Sequence, residues 1–358
     1  MSQSNIAPCP LTIGLDLGTK STQCAVYAPN RERIEERKIR MDRSGVTTFL
    51  RRFSGARVVV EASTSTRWVA DIATELGHEV IIANPRSIPV ITASVRKCDR
   101  NDARLLAELG QLQPSLLSPV HLREDRYQAV RSLLSARKQL VKQRTALVTF
   151  IRSEVRVLGS SLPSCGTKVF AKKCRSLIDA PLREALDPIF DSIQLLSELI
   201  AGYDATIDGM CERQFPETKL LRQVHGVGPL IALAFVATIA DPHRFRRSRA
   251  VGAYLGLVPR SRQSGGCDPA LSITKCGDRM MRTLLVSAAT RILGPHGTDS
   301  ALKRFGKRIS ERGGQSAKAR ARIAVARKLA VLLHSLLRSG EVYEPLRGCN
   351  PAAAEIAA

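Results

Sequence analysis

Aromatic residues make up only 4% of this 358-residue chain, and tryptophan occurs once. So thin a supply argues against a surface that works mainly by stacking single-stranded bases on rings. Acids are short as well: 32 Asp and Glu stand against 55 Lys and Arg, a formal charge of +23. Self-repulsion on that scale is tolerated where a polyanion binds, so nucleic acid is the expected partner. Paired cysteine spacing is missing. The nine cysteines, Cys9, Cys24, Cys98, Cys165, Cys174, Cys211, Cys267, Cys276 and Cys349, are odd in number and none forms a C-x-x-C. Neither a zinc site nor a disulfide framework is implied, and reduced thiols in a cytoplasm fit. No charged leader precedes an apolar core at the start, and the longest apolar run, Pro229 to Ala240, falls short of the ~20 residues a membrane span needs. A cytoplasmic protein without a membrane partner is expected.

Apolar residues are plentiful at 44%, enough for two or three domains with real cores. From Leu11 to Pro85, five β-rich runs (11–17, 23–28, 33–41, 57–62 and 79–84) are bounded by turn residues. Helical spacing fills 44–53 and 66–77. Three strands followed by β-α-β-α units predict a mixed sheet flanked by helices, an α/β fold. The rest reads as all-α. Tyr127, Val130, Leu134, Val141, Val148, Ile151 and Val155 mark a heptad seam broken by Arg137 and Arg144, and a second seam runs from Ile189 to Met210. These coiled-coil stripes can pack on each other or on copies in other subunits. A Gly, Ser and Pro-rich connection, 159–170, separates them.

The last third opens with Gly226 and Gly228 around Val227, then Pro229 and an apolar helix. This resembles a helix-hairpin-helix element whose amides face a phosphate, and equally a plain turn between helices. Beyond it lie Arg244, Arg246 and Arg247 in an Arg-rich bend. Two helices follow that carry Lys303, Arg304, Lys307, Arg308, Lys318, Arg320 and Arg322. Few acids interrupt them, so phosphate contact is expected there.

Against that background four acids stand out. Asp99 and Asp102 of "DRNDARLLAEL" are three residues apart and share a helix face, where like charges repel unless a cation neutralises them. On their own they read as an N-cap and a first-turn acid. Asp16 of "IGLDLGT" and Glu61 of "RVVVEAST", however, end apolar strands, where a carboxylate needs a partner or a metal. Four carboxylates meeting there would make an all-oxygen site suited to Mg²⁺ or Mn²⁺.

An Asp on the first strand, a Glu on the fourth and a D-x-x-D helix resemble the RNase H fold in its RuvC-like branch. Together with "GLVPRSRQSGGCDPALSITKCGDRMMRTLL" (256–285), they make the chain resemble the DEDD transposases of insertion sequences, the IS-one-ten family. The resemblance extends from about Thr12 to about Leu337. It implies a RuvC-like domain over 1–120, a coiled-coil linker and oligomerisation region over 121–216, a C-terminal transposase domain over 217–345 and a tail over 346–358. It also implies a recombinase acting on donor and target DNA and guided by a structured RNA. Asp16, Glu61, Asp99 and Asp102 would be the metal-binding catalytic acids and Ser264 the nucleophile. With serine and acids in different domains a composite site is needed, and a homo-oligomer assembled through the heptad stripes is expected. Arg260, Arg262 and Lys275 would offset phosphate charge. Cys267-Asp268-Pro269 departs from the family's usual basic residue after the glycines. Alternatives are a RuvC-like junction nuclease that cuts without a covalent intermediate, and an actin-like ATPase. "IGLDLGTKST" resembles the first phosphate loop of the latter, but the second Gly-rich hairpin it needs is missing.

Overall fold

The computed structural model describes residues 11–85, 99–260 and 271–347, with the side chains of Asp99 and Gln315 outside the description. The chain divides between Leu122 and Arg123 into two compact units. In the first, β1 (Thr12–Leu17), β2 (Ser21–Tyr27) and β3 (Arg33–Arg40) form an antiparallel meander. On the other side of β1, β4 (Arg57–Glu61) and β5 (Glu79–Ala83) add in parallel. The order β3-β2-β1-β4-β5 is the ribonuclease-H-like arrangement expected, and the strands depart from the expected runs only by a residue or two at their ends.

Strand alternation decides what each sheet face buries. Ile13, Leu15, Val58 and Val60 pack on one side with α1 (Arg43–Leu50) and α2 (Thr66–Glu75) through Val46, Phe49, Val69 and Ile72. Asp42 starts α1 by accepting a hydrogen bond from the Gly45 amide at 2.7 Å. Residues of the other parity, Thr12, Gly14, Ala25, Tyr27 and Val59, face α3 (Asp99–Leu112). A methyl group on Gly14 would stand 2.0 Å from the Ala103 carbonyl oxygen and 2.7 Å from the Ala107 amide nitrogen. Only a bare α-carbon lets the helix backbone lie that close to β1. Arg104 pairs with Glu36 of β3, and this guanidinium holds the Glu36 carboxyl below its usual range. On the helix's far half, Arg57 donates to the Gly110 carbonyl at 2.9 Å.

In the second unit, α4 (Asp125–Val157) and α6 (Leu182–Arg213) pack antiparallel within one chain. Tyr127, Val130 and Leu134 share a core with Ile207 and Cys211, while Val148, Ile151 and Val155 share another with Leu186, Phe190 and Ile193. Between these apolar ends lies a polar layer. Arg137 Nε donates to Asp204 Oδ1 at 2.6 Å, and Arg144 Nη1 to Ser197 Oγ at 3.1 Å. The two arginines that interrupt the seam thus face polar partners on the opposing helix. Of the two partnerships open to the stripes, the intramolecular one is seen within this chain.

Among the described residues, the remaining α-helices are α5 (Phe170–Cys174), α7 (Thr218–Arg222), α8 (Pro229–Ile239), α9 (Ala250–Tyr254), α10 (Arg279–Leu293), α11 (Ala301–Ser310) and α12 (Gly314–Ser339). α8 is the centre of the C-terminal core, buried without a break from Ala232 to Ile239. The longest apolar run is therefore a core helix, and among the described residues no helix is long and apolar enough to cross a membrane.

Candidate active site

The parallel register pairs Leu15 with Val60. Asp16 and Glu61, the next residues, are therefore neighbours at the carboxyl ends of adjacent strands. Both have the parity that faces α3, since Asp16 lies two residues beyond Gly14 and Glu61 two beyond Val59. The helix runs antiparallel to these strands: Gly110 stands over Thr12 and Val59, and Ala103 and Ala107 stand over Gly14. That course carries its first turn toward Asp16 and Glu61. Asp102 lies in this turn, 8% exposed, one turn before the Leu106 that packs on Val59.

Three of the four expected acids thus share one end of one sheet face. Asp99 begins α3, and its side chain lies outside the description. Asp16, Glu61 and Asp102 each interact with other groups of the fold. Among the described residues, no three His, Cys, Asp or Glu side chains stand close enough to hold a metal ion. The three described acids are therefore gathered at one end of the face without forming a closed cage. Their chemistry fits a hard divalent cation: the donors are carboxylate oxygens only, carried on two strands and a helix, with one carboxylate largely withdrawn from water.

Ser264 and Arg262 lie outside the described residues, and the chain on either side of them pairs with itself. The Arg260 amide donates to the Ser272 carbonyl at 3.0 Å and the Thr274 amide to the Val258 carbonyl at 2.9 Å. With the antiparallel bridge of Pro259 to Ile273, these bonds make a short two-armed ladder leading into and out of the serine segment. Its base is tight. A methyl on Gly256 would stand 2.2 Å from the Cys276 carbonyl oxygen, and one on Gly277 would stand 2.1 Å from that of Tyr254. Both glycines also have positive φ, which an L side chain adopts only with strain.

Three polar side chains brace this base. Arg282 donates to the carbonyls of Leu255 and Cys276. Asp278 caps α10 by accepting from the Met281 amide at 2.8 Å and pairs with Arg131 of α4 at 2.5 Å. Burial pushes the Asp278 carboxyl up, but the Met281 amide and the Arg131 guanidinium outweigh it and hold the group below its ordinary 3.8. Sequence reasoning missed both members of this pair. An Asp just before the periodic run 279–293 is an N-cap signature that points to Asp278. Nothing local in the sequence singles out Arg131.

Of the expected phosphate contacts, Arg246, Arg247, Arg260, Lys275, Lys307, Arg308, Lys318, Arg320 and Arg322 are exposed. Arg304 is exposed as well, and like Arg244 and Lys303 it has a partner within the fold. Arg244 stacks on Phe245 and Tyr254, 4.3 and 4.6 Å from the ring centres, and donates to the Ile239 carbonyl. Arg304 pairs with Asp299 at 2.6 Å, and Lys303 donates to the Gly297 carbonyl. Gly226 abuts α10, where a methyl would stand 3.1 Å from the Ala288 carbonyl oxygen. Gly228 precedes α8 with open space at its α-carbon.

A family model for DEDD transposases matches residues 13–158, and one described as the transposase IS116/IS110/IS902 family matches residues 218–304. A probable family 20 transposase of Pseudomonas aeruginosa is 30% identical over 343 residues, 93% of this chain and 98% of that protein. The chain belongs to the IS110 family of transposases. The transposase for insertion sequence element IS1111A of Coxiella burnetii is 31% identical to this transposase over 277 residues, 75% of this chain and 74% of its own length. A pilin gene-inverting protein of Moraxella bovis is 26% identical over 303 residues, 81% of this chain and 83% of its own. As an IS110-family transposase the protein is a DNA-cutting, strand-transferring enzyme that binds DNA. Its DEDD class implies a divalent cation. The actin-like ATPase alternative falls with that membership.

Proposed function

We propose that this transposase uses Asp16, Glu61, Asp99 and Asp102 to hold Mg²⁺ or Mn²⁺ and Ser264 to attack DNA, guided by a structured RNA from its own element. The observation that carries the reading is the approach of β1, β4 and the first turn of α3 to one end of the sheet, each bringing an acid. A bound divalent ion supplies charge stabilisation at the scissile phosphate. The protein's own groups do the rest. Ser264 Oγ gives up its proton and forms a bond to phosphorus, while the phosphorus–oxygen bond to the adjoining nucleoside breaks and that oxygen leaves as a hydroxyl. Arg260, Arg262 and Lys275, near the serine in sequence, offset the charge that grows on the phosphoryl oxygens. The hydroxyl of a second strand then attacks the phosphoserine diester, restores a phosphodiester and frees Ser264. Bond energy is conserved in the covalent link, so no nucleotide triphosphate is needed for rejoining.

Joining donor to target requires cuts on two DNA molecules, which a homo-oligomer supplies. Ser264→Ala tests the covalent step with the element's RNA and both DNAs present. The expected result is no strand exchange and no denaturant-stable protein–DNA adduct. Full exchange by that variant leaves a metal-only junction nuclease as the mechanism. RNA guidance is tested by sequencing RNA that co-purifies from the host: a discrete transcript from flanking DNA is expected, and random fragments would contradict it.

A further inference from the structure

α12 carries two apolar stripes. Ala317, Ala321, Val325, Leu329 and Leu333 are buried in the helical core. A second stripe of Ile323, Ala324 and Val331 is only half-covered and lines a groove of about 940 Å³, within the range of small-ligand sites. Facing it are Phe305 of α11 and Leu257, Pro259, Leu271 and Ile273 of the two-armed ladder that leads to Ser264. The groove also has cations, Arg249, Arg320, Arg327 and Lys328, and no acid among its described lining residues. Two of them are held in place. A methyl on Gly252 of α9 would stand 3.1 Å from Arg327 Cγ, so the bare glycine makes room for the arginine stem, and Lys328 Nζ sits 4.6 Å from the Phe305 ring centre.

Duplex DNA would satisfy the cations and leave the apolar floor wet, because in a duplex the faces of each base are covered by stacking on the neighbouring base pairs. An apolar peptide would fill the floor and leave four cations without counter-charges. A nucleotide outside the duplex matches both parts: its base offers flat apolar faces and its phosphate an anion. The geometry points to a pocket for an unpaired deoxynucleotide of the strand being cut, the base lying against Ile323, Val331 and Phe305 and the flanking phosphates on Arg320, Arg327 and Lys328. The choice of the cut DNA strand rests on the reading of Ser264 as nucleophile, since the ladder beside the groove leads to that residue. A nucleotide anchored here fixes the strand's register and hence which phosphate the serine meets.

Full-length protein is titrated with DNA duplexes that are fully paired or that carry a short unpaired deoxynucleotide stretch bearing 2-aminopurine, and with the same unpaired stretch in RNA. Roughly tenfold tighter binding to the unpaired DNA is expected, from one base held against apolar and cationic side chains, together with a fluorescence change at the probe. Ala324→Trp fills the groove and should remove the preference while paired duplex still binds. Ile323→Ser cannot overpack and should weaken the preference in the same direction, with the melting temperature checking that both variants are folded. Ser264→Ala should keep it, so failure of the nucleophile and failure of the pocket read out separately. Equal affinity for paired and unpaired DNA, a preference that survives both groove variants, or preferred binding of the RNA stretch would overturn the proposal.

Discussion

A single carboxylate, Asp278, ties together the start of α10, the outgoing arm of the ladder and, through Arg131, the long helix α4. Asp278→Ala removes a cap and strands a partly buried arginine, which should cost about 3 kcal/mol in urea unfolding. Asp278→Asn keeps the cap acceptor and loses only the ion pair, so its loss should be smaller. Because the folded group titrates below its ordinary 3.8, its contribution is whole above that value and is lost as pH falls through the folded pKa. Asp278→Asn should therefore flatten the stability profile at the acid end and leave its shape near neutrality unchanged. At this scale the sequence was legible where residue type alone spoke. Asp16 and Glu61 stand out because a carboxylate at the end of an apolar strand is conspicuous. Arg131 is one of many arginines, and only the fold brings it to Asp278.

At the scale of elements, the depth of α3 against β1 is set by Gly14. Gly14→Ala would push a methyl into the Ala103 carbonyl, 2.0 Å away, with backbone rather than a flexible side chain in its path. The helix must then move off the sheet and carry Asp99 and Asp102 away from Asp16 and Glu61. A stability loss of about 1–3 kcal/mol with a larger proportional loss of DNA cleavage is expected, read by calorimetry and a cleavage assay on the same preparation. In the α4–α6 hairpin the sign reverses. Arg144 is 8% exposed and its Nε has no hydrogen-bond partner among the described residues. Arg144→Leu should leave stability unchanged or raise it by about 1 kcal/mol, since an apolar side chain avoids the desolvation of a buried cation. Strands and long helices were readable because period two and the heptad are local patterns. What each stripe packs against was not, because a period says that a face is buried and not which surface buries it.

For the whole molecule, the excess of cations was plain in the composition, whereas the assignment of individual cations was not. Arg244 and Arg304 sit in the basic stretches singled out from sequence, yet the fold uses them on aromatic rings and on Asp299. Exposed residues such as Lys318, Arg320 and Arg322 on α12 remain as candidates for phosphate contact. Affinity for duplex DNA should fall log-linearly with salt, with a slope of about 0.9 per phosphate contact. Replacing Lys318 and Arg322 together by Ala should lower that slope by roughly 2. Unchanged slope would move the DNA to another face of the protein.

The central claim is that the acids at the sheet end hold a divalent ion used for cutting. It is tested most directly by measuring Mg²⁺-dependent DNA cleavage by Asp16→Asn and Glu61→Gln alongside DNA affinity. Both variants should lose cleavage by at least about a hundredfold, the scale of one lost transition-state charge partner, while binding DNA as tightly as the native protein or more tightly. Cutting at the native rate by either variant, or native cutting that persists in chelator, would contradict the account.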